Sequence, residues 1–171
     1  MTTALPKFLL DANVFIEAHR RYYAFDICPG FWDCLLHHTK DASIYSIDRV
    51  RDEIKAGDKL GAWIKDATPK TLFFSTDEPS IAQQFSLIMQ WAQSSKHYKP
   101  EAKAEFAQVA DGWLVAFAKA HNYTVVTHEV LDPLAKKRIP IPNVCKEFKV
   151  PYMDTFEMLR GLRAKFNWKQ A

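Results

Sequence analysis

With 5 glycines in 171 residues, the chain has little material for a glycine-rich phosphate loop, and none occurs. A G-x-S-x-G nucleophile elbow is also absent. The three cysteines, Cys28, Cys34 and Cys145, are odd in number and lack C-x-x-C spacing. They suit neither a disulfide framework nor a zinc site, so a reducing, cytoplasmic setting is expected. No apolar run approaches the ~20 residues of a membrane span. The N-terminus lacks the charged region, apolar core and small-residue cleavage site of a secretory signal. Charge of one sign is scarce too: 23 basic against 20 acidic residues leave a net charge of +3. That permits an anionic partner such as RNA without arguing for one.

What is present fits one soluble domain spanning residues 1–171, with 48% hydrophobic and 25% charged residues. The organising stretch is Lys7 to Ala18, KFLLDANVFIEA. A short apolar run ending in Asp11 reads as a buried strand, and Asn13 reads as the N-cap of a following helix. Residues 42–46 form a second strand, with Ser46 expected to cap a helix from Ile47. At about 100° per residue, Glu53 lies at the margin of that helix's buried face, while Asp48 and Asp52 are expected at the surface. Further elements are a strand at 71–75, a helix at 79–94, one long helix at 101–121 and a strand at 123–127. An edge strand at 150–153 and a helix from Asp154 to about Lys165 follow. In the long helix, Asp111 is the lone charge in the run VADGWLVAFA. A carboxylate among such residues is costly unless it is paired, hydrogen-bonded or bound to a cation. Gly112 beside it reads as a place of close packing or ligand approach. Glu129 ends the strand at 123–127, after Thr127 and His128.

Four acids therefore fall in comparable places, namely Asp11 and Glu129 beyond strand ends and Glu53 and Asp111 on flanking helices. In a parallel sheet these positions converge on one edge. Crowded carboxylates raise one another's pKa, and a divalent cation removes the conflict. All-oxygen donors suit Mg²⁺ or Mn²⁺, which hydrolyse phosphodiesters by activating water and stabilising charge in the transition state.

The pattern of strand-Asp11-x-Asn13, Ser46 to Glu53, Asp111 in ADGWLVAFA and Thr127-His128-Glu129 resembles the PIN-domain ribonucleases. It looks closest to a PIN-like branch long catalogued as a domain of unknown function, often the toxin of a toxin–antitoxin pair. The resemblance covers about Phe8 to Phe156. It implies a three-layer α/β/α sandwich around a central, mainly parallel sheet. It also implies Mg²⁺- or Mn²⁺-dependent endonucleolytic cleavage of RNA, a homodimer and an antitoxin partner that occludes the site. By resemblance Asp11, Glu53, Asp111 and Glu129 are catalytic metal ligands, with Glu129 where the family usually has the Asp of a T-N-D segment. Asn13, Ser46, Thr127 and His128 take substrate-positioning places.

Two basic clusters, Arg20-Arg21 and Lys136-Lys137-Arg138, are the candidates for RNA contact, although such runs are usually solvated faces. Around the first, Tyr22, Phe25 and Trp32 are expected in the core, and the Arg20–Trp32 insert, long for compact PIN toxins, is a candidate lid or partner surface. His19 and His37-His38 lack helical ligand spacing and are expected to be structural or superficial. Two alternatives stand beside the nuclease. One is a PIN-like module that binds RNA or protein without catalysis. The other is an aspartate-nucleophile phosphatase, which would need an acid where Asn13 stands.

Overall fold

In the computed structural model, residues 6–54 and 57–168 are described. The ends of the expected 1–171 domain, and the expected continuation of the Glu53 helix through Lys55 and Ala56, lie outside them. The sheet is built from β1 (Phe8–Leu10), β2 (Ile44–Ile47), β3 (Phe73–Phe74), β4 (Thr124–Val126) and β5 (Tyr152–Met153). Its spatial order is β3-β2-β1-β4-β5, and every neighbouring pair is parallel. Leu10 is level with Val126, and Val126 with Met153, so these strands end together.

Strand order reverses at β1, whose two neighbours are reached by chains running in opposite directions across the sheet. Right-handed crossovers then put helices on both faces. The links on one side carry α1 (Ala12–Arg20), α2 (Pro29–Lys40), α3 (Asp48–Glu53) and α4 (Lys59–Asp66). The other side carries α5 (Pro79–Ser94), α6 (Pro100–Phe106), α7 (Asp111–His121) and α8 (Ile141–Phe148), and α9 (Thr155–Gly161) follows the last strand. This is the expected three-layer α/β/α arrangement with a parallel centre. Its strands are apolar because both faces are covered, and Phe8, Leu9, Leu10, Ile44, Val125 and Val126 are buried.

Several local expectations are corrected by long-range bonds. Helix α1 begins at Ala12, so Asn13 lies in its first turn and Asp11 stands at the N-cap. Ser46 caps nothing. Strand β2 runs on to Ile47, and the buried Ser46 hydroxyl donates to the Leu10 carbonyl at 2.7 Å. Asp48 is half-buried rather than superficial and accepts from the Thr76 amide at 3.0 Å and the Thr76 hydroxyl at 2.9 Å. The single helix expected over 101–121 is two helices, α6 and α7, and the stretch after Arg138, for which no element is expected, contains α8. Pro142 sits in the first turn of α8, where a missing N–H breaks no helical bond.

The aromatic residues of the insert, Tyr22 apart, pack against the core, with Phe31 and Trp32 buried and Tyr23 and Phe25 half-buried. Phe25 stacks on Trp32 at 4.1 Å, Tyr23 on Phe31 at 4.4 Å, and Trp32 meets Trp63 of α4 edge-on. Tyr22, expected inside, is 76% exposed instead.

Helices α5 and α7 pack closely across Gly112, where a Cβ would lie 2.9 Å from Met89 Cε and 3.1 Å from Phe85 Cε2. Its role is therefore close packing. Gly112→Val is expected to destabilise by about 1–3 kcal/mol through overpacking. For a chain of this size that lowers the melting temperature by roughly 2–4 °C per kcal/mol. An unchanged melting temperature would show that the two helices can separate without cost.

Candidate active site

The carboxyl ends of parallel strands, at the point where strand order reverses, form the natural crevice of such a sheet. Asp11 leaves β1 there and is 3% exposed. Its Oδ2 accepts from the Thr127 hydroxyl at 3.0 Å, which ties the end of β1 to the end of β4. The same Thr127 oxygen accepts the Glu129 amide at 3.1 Å, so one hydroxyl organises both acids.

Glu53 is the last residue of α3, and its Oε1 accepts the Ala110 amide at 2.7 Å. In an uninterrupted helix that amide would donate to the Phe106 carbonyl four residues back. The Glu53 carboxylate takes it instead, the helix breaks between α6 and α7, and Asp111 becomes the first residue of α7 rather than a mid-helix residue. An acid in the first turn is favoured by the helix dipole. Glu129 has partners on both oxygens: the Ile141 amide donates to Oε2 at 2.7 Å, and Arg138 Nη2 lies 2.5 Å from Oε1.

These acids feel one another. Burial, opposed by the Thr127 bond and reinforced by the charges of Glu129 and Glu53, raises the Asp11 carboxyl to about 7. Burial together with the charges of Asp11, Glu129 and Glu53 raises Asp111 to about 8, against the opposing pull of Arg138. The structure thus brings Asp11, Glu53, Asp111 and Glu129 to one edge. It does not close them round a point. Among the described residues, the group of three His, Cys, Asp or Glu side chains whose donor atoms all lie within 4.8 Å of one another is His37, His38 and Asp41. That group is at the end of α2, before β2, at the opposite edge of the sheet.

Two clefts meet at Glu129 and Arg138. One of about 330 Å³ is lined by Glu53, Asp111 and Glu105 besides that pair. The other, of about 630 Å³, is walled by Asn13, Arg21, Tyr22, His128 and Phe156. His128 Nε2 lies 3.0 Å from the Thr155 hydroxyl. Of the remaining expected site residues, Ser46 is fully buried and lines neither cleft. Arg20 is exposed, and Arg21 pairs with Glu17 at 2.7 Å. Lys136 and Lys137 are exposed and line neither cleft, so the basic cluster separates into two surface lysines and one arginine inside the site. Sequence reasoning missed the Arg138–Glu129 pair and the Ile141 amide. Neither leaves a periodic signal, because both depend on how the 130–140 loop closes.

Because Asp11 and Asp111 have pKa values raised above those of an unfolded chain, the folded metal-free protein binds the extra protons. That contribution to stability is fully present below about pH 4 and is lost as pH rises through about 7 to 8. Asp111→Asn, neutral throughout, removes the loss at that position. In chelator its stability relative to wild type is expected to rise by roughly 1–4 kcal/mol between pH 5, where part of the wild-type loss is already in place, and pH 8.5. Equal differences at both pH values in thermal melts would mean that Asp111 is not under this strain.

The fold is shared with a chain of the FitAcB crystal structure from Neisseria gonorrhoeae, with a TM-score of 0.50 and 18% identity over 85% of this chain and 95% of that one. At that identity the likeness is one of fold, and the sheet with its flanking helices is PIN-like. No curated protein matches the sequence. No helix among the described residues is long and apolar enough to cross a membrane. The family model described as "Domain of unknown function (DUF4411)" matches residues 8–166, nearly the whole chain, and the protein belongs to that family.

Proposed function

We propose that this chain is a Mg²⁺- or Mn²⁺-dependent endoribonuclease that hydrolyses RNA phosphodiester bonds as the toxin of a toxin–antitoxin pair. The observation that carries the reading is the convergence of Asp11, Glu53, Asp111 and Glu129, with Asp11 and Asp111 pushed by burial and mutual charge to about 7 and 8. Such a site is short of positive charge, and its donors are hard oxygens, the set that Mg²⁺ and Mn²⁺ take. The spread of the acids is compatible with Mg²⁺, which keeps several waters and binds through one or two carboxylates. When bound, the ion supplies an activated water and stabilises charge developing on the phosphate.

The chain's own residues do the rest. Asp11, Glu53 and Asp111 would hold the ion, one or two of them directly and the rest through its waters, with Glu129 as the fourth acid of the site. Thr127 positions Asp11, and Ser46 holds the end of β1 from behind. Asn13 and His128 line the larger cleft and orient RNA there. Arg20, Arg21, Lys136, Lys137 and Arg138 contact phosphates. Exposed apolar side chains beside the larger cleft, Tyr22, Val130 and Phe156, favour an antitoxin that covers the site. The family resemblance adds a homodimer, and the three cysteines without disulfide or zinc spacing favour the cytoplasm.

A second reading, a PIN-like module that binds without catalysis, is favoured by one observation: no three of the acids bring donor atoms within 4.8 Å of one another. Cleavage of a mixed pool of structured and unstructured RNA separates the two. Wild type in Mg²⁺ or Mn²⁺ is expected to cleave, chelator to stop it, and Asp11→Asn to fall to the level of buffer. Equal cleavage by both proteins would sink the proposed mechanism. No cleavage by wild type together with no Mn²⁺ binding in calorimetry would establish the binding module.

A further inference from the structure

We propose that Arg138 occupies the second cation position of this site, so that the chain works with one divalent ion and one guanidinium in place of two ions. This rests on the metal-dependent nuclease reading and specifies its charge arrangement.

Glu129 is the acid that would have to serve a second ion, and it is already engaged. Its Oε1 is 2.5 Å from Arg138 Nη2, and its Oε2 accepts the Ile141 amide at 2.7 Å. A divalent ion brought to Glu129 would meet the fixed positive charge of Arg138 at close range and would have to break the pair. Ion pairs on an open surface contribute little, and Arg138 by itself is 57% exposed. Its partner is different. The Glu129 side chain is 15% exposed and held at both oxygens, so the guanidinium is drawn to a fixed point on the wall between the two clefts.

The loop carrying Arg138 is held as firmly as its partner. The Lys99 amide donates to the Lys136 carbonyl at 2.8 Å, and His97 Nε2 lies 2.8 Å from the Ala135 carbonyl. Asn143 bonds both the amide and the carbonyl of Asp132, at 3.0 and 2.8 Å, and Ile139 is buried. Arg138 is thus positioned by its loop, and unlike Lys136 and Lys137 it lines both clefts.

Chemically the guanidinium fits the task. It stays protonated throughout the working pH range and carries five N–H donors in a planar fork that matches two phosphate oxygens. Spending Nη2 on Glu129 leaves donors for a phosphate entering the smaller cleft beside Glu53 and Asp111. One charge that does not need to be recruited from solution then stands where a second ion would neutralise the reacting phosphate.

The test counts Mn²⁺ bound per full-length chain, by calorimetry and by electron paramagnetic resonance, with circular dichroism to verify folding. Wild type is expected to bind one ion and Arg138→Lys one. Arg138→Gln, which frees Glu129 while removing the charge, is expected to bind two. Two ions on wild type, or one on both wild type and Arg138→Gln, would overturn the inference and leave the nuclease reading standing. No ion on wild type would overturn both. Where Arg138→Gln does not fold, Arg138→Met, which also removes the charge and frees Glu129, supplies the comparison, with two ions expected and one overturning the inference.

Discussion

The hydrogen bond from the Thr127 hydroxyl to the buried Asp11 carboxyl is the interaction on which the site depends. It lies where strand order reverses, and it joins the ends of the two central strands. Isolated in that position, a carboxylate would carry the full cost of desolvation. Thr127 offsets part of the cost, and its oxygen passes the constraint on by accepting the amide of Glu129. Every later placement of charge in the crevice is measured from this bond. On the other side Ser46, from the next strand, satisfies the Leu10 carbonyl immediately before Asp11, where β1 ends.

A second constraint works across the fold. Glu53 accepts an amide that a continuous helix would have used internally, and so divides α6 from α7. The break puts Asp111 at a helix start with its carboxyl facing the other acids, as their mutual effect on its pKa reflects. Gly112, next in sequence, lets α7 approach Met89 and Phe85 of α5, which fixes where that helix start can lie. Packing on one side and a charged hydrogen bond on the other thus locate a single carboxyl. The arrangement stores an unfavourable crowding of acids in the folded state.

What could be read beforehand divides along the same line. The strands were legible because they are short apolar runs bounded by polar residues, their parallel pairing came with the family resemblance, and Asp11 stood out by ending the first of them. Asp111 stood out as one charge in an apolar run, and Glu53 by its angle on a helix. The break before Asp111 was not legible, since Ala107, Gln108, Val109 and Ala110 include no helix breaker and the cause sits far away in sequence. Asn13 and Ser46 were misread for a related reason. Both have the chemistry of caps, yet the Ser46 hydroxyl serves a neighbouring strand, and the helix begins a residue before Asn13. Helix α8 was hidden by prolines that look like loop residues until one stands in a first turn. Local rules held where the chain acted alone and failed wherever a residue distant in sequence took over a hydrogen bond.

The overall charge sharpens what this edge of the molecule must do. A net charge of +3 spread over the whole chain gives little general attraction for a polyanion. Carboxylate charge at the crevice would repel one directly, and a screening length of about 8 Å in physiological salt does not hide charges in contact with the bound strand. On the proposed reading, RNA therefore cannot seat its phosphate before positive charge is in place. Arg138 supplies one such charge permanently and the metal supplies the rest, which makes occupancy by the ion and by RNA mutually reinforcing. On that reading, the same crowding that burdens the metal-free fold becomes the device that couples cofactor to substrate, because both relieve one electrostatic conflict.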